Sequence, residues 1–221
     1  MLLTSLLEAA DRVDSTTGVQ MAFLKTWAPR AGRPLALRPP AIPDGPPGTA
    51  LRADAGEVVH RLPPIDLAYL DPPYNQHRYT ANYHVWETIV AWDAPAHYGV
   101  ACKRVDLRDP GTRSPFNERA RMPEALAGCV KRVDAGVVVV SYNDEAWVGL
   151  DELVEMCSAR GPVTVLAFDS RRYIGATIGI HNPAGQKVGT VSHTRNTEYV
   201  LVAGDVSAAQ RRRLRQLSPI P

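Results

Sequence analysis

Cysteine is scarce in this chain, and what there is lies scattered. Cys102, Cys129 and Cys157 are odd in number and widely spaced. That excludes a disulfide framework and a paired-cysteine metal site, and it predicts three reduced thiols. The six histidines show no HExxH or other ligand spacing, so no metal site is expected. His193, in "HTRNTEY", has no partner at a useful interval. A strong charge of either sign is missing as well. The net charge of +2 over 221 residues, with a pI near 8.5, does not by itself mark a nucleic-acid-binding protein. No apolar run approaches the roughly 18 residues that a membrane span needs. The first residues, "MLLTSLLEAADRVDS", lack a basic leader and carry acids early. They read as an amphipathic helix and not a signal peptide, and a cytoplasmic protein is expected. There is no internal repeat.

Against these absences stands a hydrophobic content of 45%, enough for a real core in one domain of ordinary size. Leu2, Leu3, Leu6, Leu7 and Ala10 fall at helical intervals. A second helix is predicted through "VQMAFLKTW", ending before Pro29, and a short strand in "RPLALRPP". The Pro/Gly-rich "AIPDGPPGTA", 41–50, is a loop. "ALRADAGEVVHRL" reads as a short strand, a turn at Asp54 and a short helix, and "IDLAYL" as a strand. From 74 to 128 the chain is polar and without a clear period, apart from a helix near 83–92. "AGVVVVSYND" predicts a strand buried on both faces. An amphipathic helix, "GLDELVEMCSAR", and a strand, "PVTVLAFDS", follow. Then come a strand, a turn at Asn182–Gly185, a second strand and a last one, "TEYVLVA". The tail "RRRLRQLSPIP", within 205–221, reads as basic and loose. This order predicts an α/β fold, with a mostly parallel sheet and an antiparallel C-terminal edge.

The most specific stretch is "LAYLDPPYNQHRYTANYHVWE", 67–87. Its strand runs into Asp71-Pro72-Pro73-Tyr74. Two prolines fix two φ angles and push each preceding residue to extended geometry. In open α/β sheets, ligands bind beyond the carboxyl ends of strands, where this corner sits. The Asp71 carboxylate and the Pro72 carbonyl offer acceptors at one point, with no proline N–H to compete. Tyr74 adds a flat face. An exocyclic amino group on a planar ring fits such a site: its hydrogens go to the two acceptors and its ring stacks on Tyr74. An amine so held is oriented to take a methyl group from a sulfonium donor, with the protein supplying orientation and charge placement.

These residues resemble the DPPY amino-methyltransferases, above all the site-specific adenine-N6 DNA methyltransferases of restriction-modification systems. The likeness extends through "LRADAGEVVHRL…DLAYLDPPYNQHRYTANYHVWETI", "VVVVSYNDE" and "RNTEYVLVAG", and covers most of 1–204, taken as one methyltransferase domain. It implies a Rossmann-like fold and S-adenosylmethionine as cofactor. Asp71, Pro72, Pro73 and Tyr74 match the catalytic motif. Asp54, with Ala55 beside it, matches the acidic position that holds the adenine end of the cofactor, and Asp71 also borders it. The substrate implied is double-stranded DNA with its target base flipped out of the stack. The segment 75–128 is the expected DNA-contacting insertion, with Arg78, Tyr79, Asn82, Tyr83 and Lys103 near DNA. The alternative for Tyr83 and its neighbours is a helix core and a solvated basic face.

One part of the family pattern is missing. No FxGxG-like loop precedes Asp54; Gly18, Gly32, Gly45 and Gly48 do not follow a buried strand. The Rossmann-like fold is therefore expected to be incomplete, the chain matching its last two thirds. Three readings account for this: a C-terminal fragment, one half of a split enzyme completed by an N-terminal fragment, or a decayed copy. The first two are preferred. A missing strand predicts an exposed sheet edge and self-association of the chain alone. A cognate restriction endonuclease is a further expected partner. An RNA amino-methyltransferase and a silent DNA-binding subunit are the competing functions.

Overall fold

The computed structural model describes residues 1–21, 24, 26–73, 75–171, 180–181, 187–189 and 195–218. Two compact units emerge from the chain. One comprises 1–50, 77–113 and 174–190, the other 51–76, 114–173 and 191–221.

The second unit holds the main sheet. Its strands are β1 (Ile65–Leu70), β4 (Ala135–Asn143), β5 (Thr164–Arg171) and β8 (Arg195–Gly204), in the order β1-β4-β8-β5. β1 and β4 are parallel, and β8 is antiparallel to both of its neighbours. Three strands therefore share one direction. The expected α/β class and largely one-directional sheet are present. The antiparallel pairing on the C-terminal side arises because β8 enters between β4 and β5. β1 lies at one edge of the sheet, with Leu67 and Tyr69 exposed.

Two helices cover one face of this sheet. α5 (Met122–Arg132) starts with a proline in its first turn and has Glu124 there, while Lys131 and Arg132 close its last turn. Each end thus complements the helix dipole. α6 (Leu150–Ser158) begins with Asp151 and Glu152. Met122, Leu126 and Val130 of α5 and Leu153 and Cys157 of α6 join Val138, Val140 and Tyr142 of β4, and Leu201 and Ala203 of β8, in one buried cluster. Each fully buried leucine there stabilises the fold by about 1.5–3 kcal/mol. The opposite face of β4 is only half-buried at Val137 and Val139, so the expected burial on both faces is half met. The tail is not loose. Ser207 and Gln210 form a capping box that starts a helix at Ala208–Arg215. Arg211 in it donates to the Pro162, Gly204 and Val206 carbonyls. The capping pair, just ahead of the basic run, is the signal that composition obscured.

The first unit contains α1 (Leu2–Val13), α3 (Tyr79–Asn82) and α4 (His84–Ala91). It also holds two small hairpins, β2 (His97–Tyr98) with β3 (Lys103–Arg104), and β6 (Ile180–His181) with β7 (Lys187–Gly189). The predicted turn at Asn182–Gly185 lies outside the described residues, as does His193. The second helix expected after Gly18 is not formed by the described residues of 19–27. Long-range bonds claim its backbone instead: Gln20 N donates to the Asn82 carbonyl at 2.6 Å, and the Gln20 carbonyl faces His84 Nε2 at 3.3 Å. Nor is "RPLALRPP" a strand. Its carbonyls are met by side chains of α1, Ser5 Oγ bonding Arg38 O at 2.6 Å and Arg12 Nη2 bonding Ala36 O at 3.0 Å. The strand expected just before Asp54 is also absent, while the short helix after it is α2 (Ala55–Val58).

Buried thiols give the second unit an alkaline weakness. Burial pushes the Cys157 thiol up to about 11, and raises that of Cys129 as well. A thiol whose folded pKa lies above its unfolded one favours folding at neutral pH. That contribution is lost as pH rises toward the folded value. The urea midpoint is expected to fall as pH climbs from neutral to about 11. Cys157→Ala should flatten that decline, and an unchanged slope in the variant would show that the thiol is not its source.

Candidate active site

β1 carries the chain in register beside β4 up to Leu70, opposite Val140. The strand ends there because the next residues cannot continue the ladder. Asp71 is followed by Pro72 and Pro73, neither of which has an N–H to donate. Asp71 is exposed at the carboxyl end of the strand, Pro72 is buried and Pro73 half-buried. Tyr74 lies outside the described residues. Just past the corner, the Asn75 carbonyl accepts from Asn117 Nδ2 at 3.0 Å. That bond ties the corner to the turn Pro115–Asn117, whose start is capped by Ser114 Oγ accepting from Phe116 N.

A cavity of about 280 Å³ opens beside the corner, lined by Ala55, residues 69–73, Phe116, Leu126 and Cys129. Apart from Asp71 its lining is mainly apolar and aromatic, and its size suits one planar ring better than a larger ligand. Asp54 caps α2, its Oδ1 accepting from Glu57 N at 3.2 Å, so Ala55 is held in the first turn at the cavity wall. Burial pushes the Cys129 thiol up; Arg132 opposes this and Asp54 adds to it. A second cavity, near 510 Å³, shares Phe116 and is lined by Arg121, Lys131 and Arg132 with Glu124. The sequence reading brought Asp54, Ala55 and Asp71 forward, and the structure places Ala55 and Asp71 on one cavity. It did not find Phe116, Leu126 and Cys129. "SPFN" carries a serine-proline turn signal that could have pointed to Phe116, but nothing in a helical period marks Leu126 as a cavity wall rather than core.

At the same end of the sheet, Asn143 closes β4 and Glu198 stands opposite it on β8. Asn143 Nδ2 donates to Glu198 Oε1 at 2.6 Å. Burial raises the Glu198 carboxyl above its ordinary range; the Asn143 bond opposes this, and the charges of Asp144, Asp71 and Glu145 add to it.

Residues expected near DNA lie in the first unit. Tyr79 is exposed and its ring sits 6.2 Å from that of half-buried Tyr83. Arg78 donates to Thr112 Oγ1 at 2.8 Å. The side-chain oxygen of Asn82 is buried with no hydrogen-bond partner. Lys103 is half-buried on β3, next to Arg104, whose guanidinium clamps Asp93 and Asp106 at 2.7 Å each. Arg108 lies over the Tyr98 ring at 3.8 Å. Among the described residues no group of His, Cys, Asp and Glu could hold a metal ion, and no helix is long and apolar enough to cross a membrane.

Residues 1–114 match the D12 class N6 adenine-specific DNA methyltransferases. The type II methyltransferase M.NlaIII of Neisseria lactamica is 31% identical over 173 residues, covering 78% of this chain and 50% of that protein. The modification methylase LlaI of Lactococcus lactis subsp. lactis is 30% identical over 179 residues, 78% of this chain and 28% of LlaI. StsI of Streptococcus sanguinis is 29% identical over 176 residues, 78% of this chain and 26% of StsI. The chain thus spans half or less of the curated relatives it matches. No solved structure matches it. The matched residues include β1 and the Asp-Pro-Pro corner, and the chain belongs to the D12 class N6 adenine-specific DNA methyltransferase family.

Proposed function

We propose that this chain carries the catalytic corner of an enzyme that moves a methyl group from S-adenosylmethionine to the N6 amino group of an adenine flipped out of a specific DNA site. Supporting this above all is the rigid Asp71-Pro72-Pro73 corner at the carboxyl end of β1, bordering a cavity sized for one planar ring. The cofactor supplies an electrophilic methyl group. Asp71 and the Pro72 carbonyl accept the two amino hydrogens and hold the nitrogen lone pair toward it. Tyr74 stacks on the base. Asp54 and Ala55 hold the adenine end of the cofactor, a role the apolar wall of Ala55, Phe116, Leu126 and Cys129 suits. Excluding water at this wall strengthens the Asp71 interaction.

In this reading the DNA contacts of the 75–128 segment come from Arg78, Tyr79, Asn82, Tyr83 and Lys103, all within 77–113, while 114–128 packs in the second unit. The chain works with a further polypeptide segment carrying the glycine loop, and alongside a cognate restriction endonuclease. The test is to express the chain, with and without such a segment, in a host lacking adenine methylation and to digest its DNA to nucleosides. N6-methyladenine is the expected product; N4-methylcytosine, or no methylated base in either case, contradicts the reading. Phosphate contacts by Arg78 and Lys103 also predict that DNA affinity falls linearly on a log–log salt plot. Replacing Lys103 by Gln should reduce that slope by about one. An identical slope in a fluorescence-anisotropy titration removes Lys103 from the interface.

A further inference from the structure

α4 ends on an outlier. Helices often stop on a left-handed residue, usually glycine, which has no Cβ to clash there. Here that residue is Trp92, with φ 51° and ψ 44°. A bulky side chain takes this conformation only where the surroundings hold it. Burial does not offset the strain, because Trp92 is 82% exposed. An aromatic ring is thus kept in water, on a corner where glycine would sit more easily.

Arg104 of β3 holds that corner. Its Nη1 and Nη2 donate to the two carboxylate oxygens of Asp93, the residue after Trp92, at 2.7 Å each. Nη1 also donates to Thr88 Oγ1 of α4 at 3.2 Å, and Nε and Nη2 donate to Asp106 at 3.1 and 2.7 Å. Arg104 itself is buried. One guanidinium therefore joins the last turn of α4, the hairpin strand β3 and the turn Val105–Arg108. The ring stands on a rigid base. Both acids in this clamp face Arg104, while Lys103 is its neighbour on β3 and Arg108 lies over the Tyr98 ring. Exposed rings interleaved with cations suit nucleic acid, whose bases stack on the rings and whose phosphates meet the cations.

Resting on the DNA reading given above, we propose that Trp92 is a stacking platform for a DNA base, a contact outside the residues assigned to DNA so far. In a paired duplex the bases cover one another's faces. Extruding the target adenine leaves its former neighbours and its partner with a bare face, and the indole of Trp92 covers one of them. What the ring adds is affinity for opened DNA. That affinity is independent of charge and tolerant of sequence, since every base has a π-face.

Fluorescence anisotropy of the chain with a labelled single-stranded DNA oligonucleotide, whose base faces are open, tests this. Labelled heparin serves as a polyanion that has no bases. Trp92→Gly should weaken DNA binding by about tenfold, within the range for loss of one base–aromatic stack, and leave heparin binding unchanged. Its log–log salt plot for DNA should fall in parallel with that of wild type, because stacking releases no phosphate counterions. Trp92→Tyr keeps a ring and should recover most of the affinity. Glycine suits the left-handed cap, so urea denaturation of Trp92→Gly should give a midpoint at or above that of wild type. Wild-type DNA affinity in Trp92→Gly overturns the proposal and leaves the ring for a protein partner. Equal losses on DNA and heparin, or a lowered midpoint, overturn it as well, since the ring would then act through charge or through the fold. A wild-type chain that binds no DNA contradicts the DNA reading on which the proposal rests, so the two failures are told apart.

Discussion

On the proposed function, replacing Asp71 by Ala should lower methyl transfer by roughly 10²–10³-fold, the usual cost of losing one preorganised charge-stabilising group. Cofactor affinity should be largely kept, because the rest of the cavity wall, Ala55, Phe116, Leu126 and Cys129, is unchanged. Folding is also spared. Asp71 is exposed, and the corner is kept by its two prolines and by the bond from Asn117 to the Asn75 carbonyl. Loss of rate with retained cofactor affinity is what separates a group that acts on the reacting amine from one that only shapes the loop. Asp71→Asn should be milder than Ala, since its amide oxygen still accepts one hydrogen bond from the amine. Single-turnover kinetics with labelled cofactor read both variants. Turnover within about twofold of wild type in Asp71→Ala removes the residue from the chemistry.

Gly204→Ala should cost the fold about 3 kcal/mol. Gly204 ends β8 opposite Val137, with φ +103°, a region L side chains rarely adopt. An added Cβ would run into the Gly136 carbonyl and the Val137 Cα, both main-chain atoms of β4. Neither can move unless β4 and β8 part, and these two strands carry Val138, Val140 and Leu201 of the buried cluster. The same carbonyl of Gly136 also accepts from Asp205 N at 2.8 Å, so the whole corner is strained at once. Gly111→Ala, where an added Cβ meets nothing within 4 Å, is the control and should stay within about 0.5 kcal/mol. Urea denaturation compares them. Equal midpoints for the two variants would falsify the steric account.

The main-sheet strands and α6 were legible because each has one dominant signal, whereas α5, which starts inside the stretch read as polar and without a period, was missed. "IDLAYL" and "AGVVVVSYND" are short apolar runs bounded by turn residues, and "GLDELVEMCSAR" keeps a helical stripe. The failures share another cause. In "VQMAFLKTW" and "RPLALRPP" local propensity suggested regular elements, yet tertiary hydrogen bonds to the Asn82 carbonyl and from Ser5 and Arg12 take backbone groups that those elements would use. The tail failed the other way: the basic run that follows it obscured the Ser207–Gln210 capping pair. The Asp-Pro-Pro corner was readable because it is contiguous in sequence. Phe116, Asn143 and Glu198 come from separate elements, and only the register of β4 against β8 brings the last two face to face.

The most direct test of the account is transfer of labelled methyl from S-adenosylmethionine to unmethylated DNA. The chain would be assayed with a polypeptide supplying the glycine loop, as wild type and as Asp71→Ala. Label entering adenine at N6 with the wild-type chain, and roughly 10²–10³-fold more slowly with Asp71→Ala, is the predicted result. Equal transfer by both, or label on another base, contradicts the role given to the Asp-Pro-Pro corner.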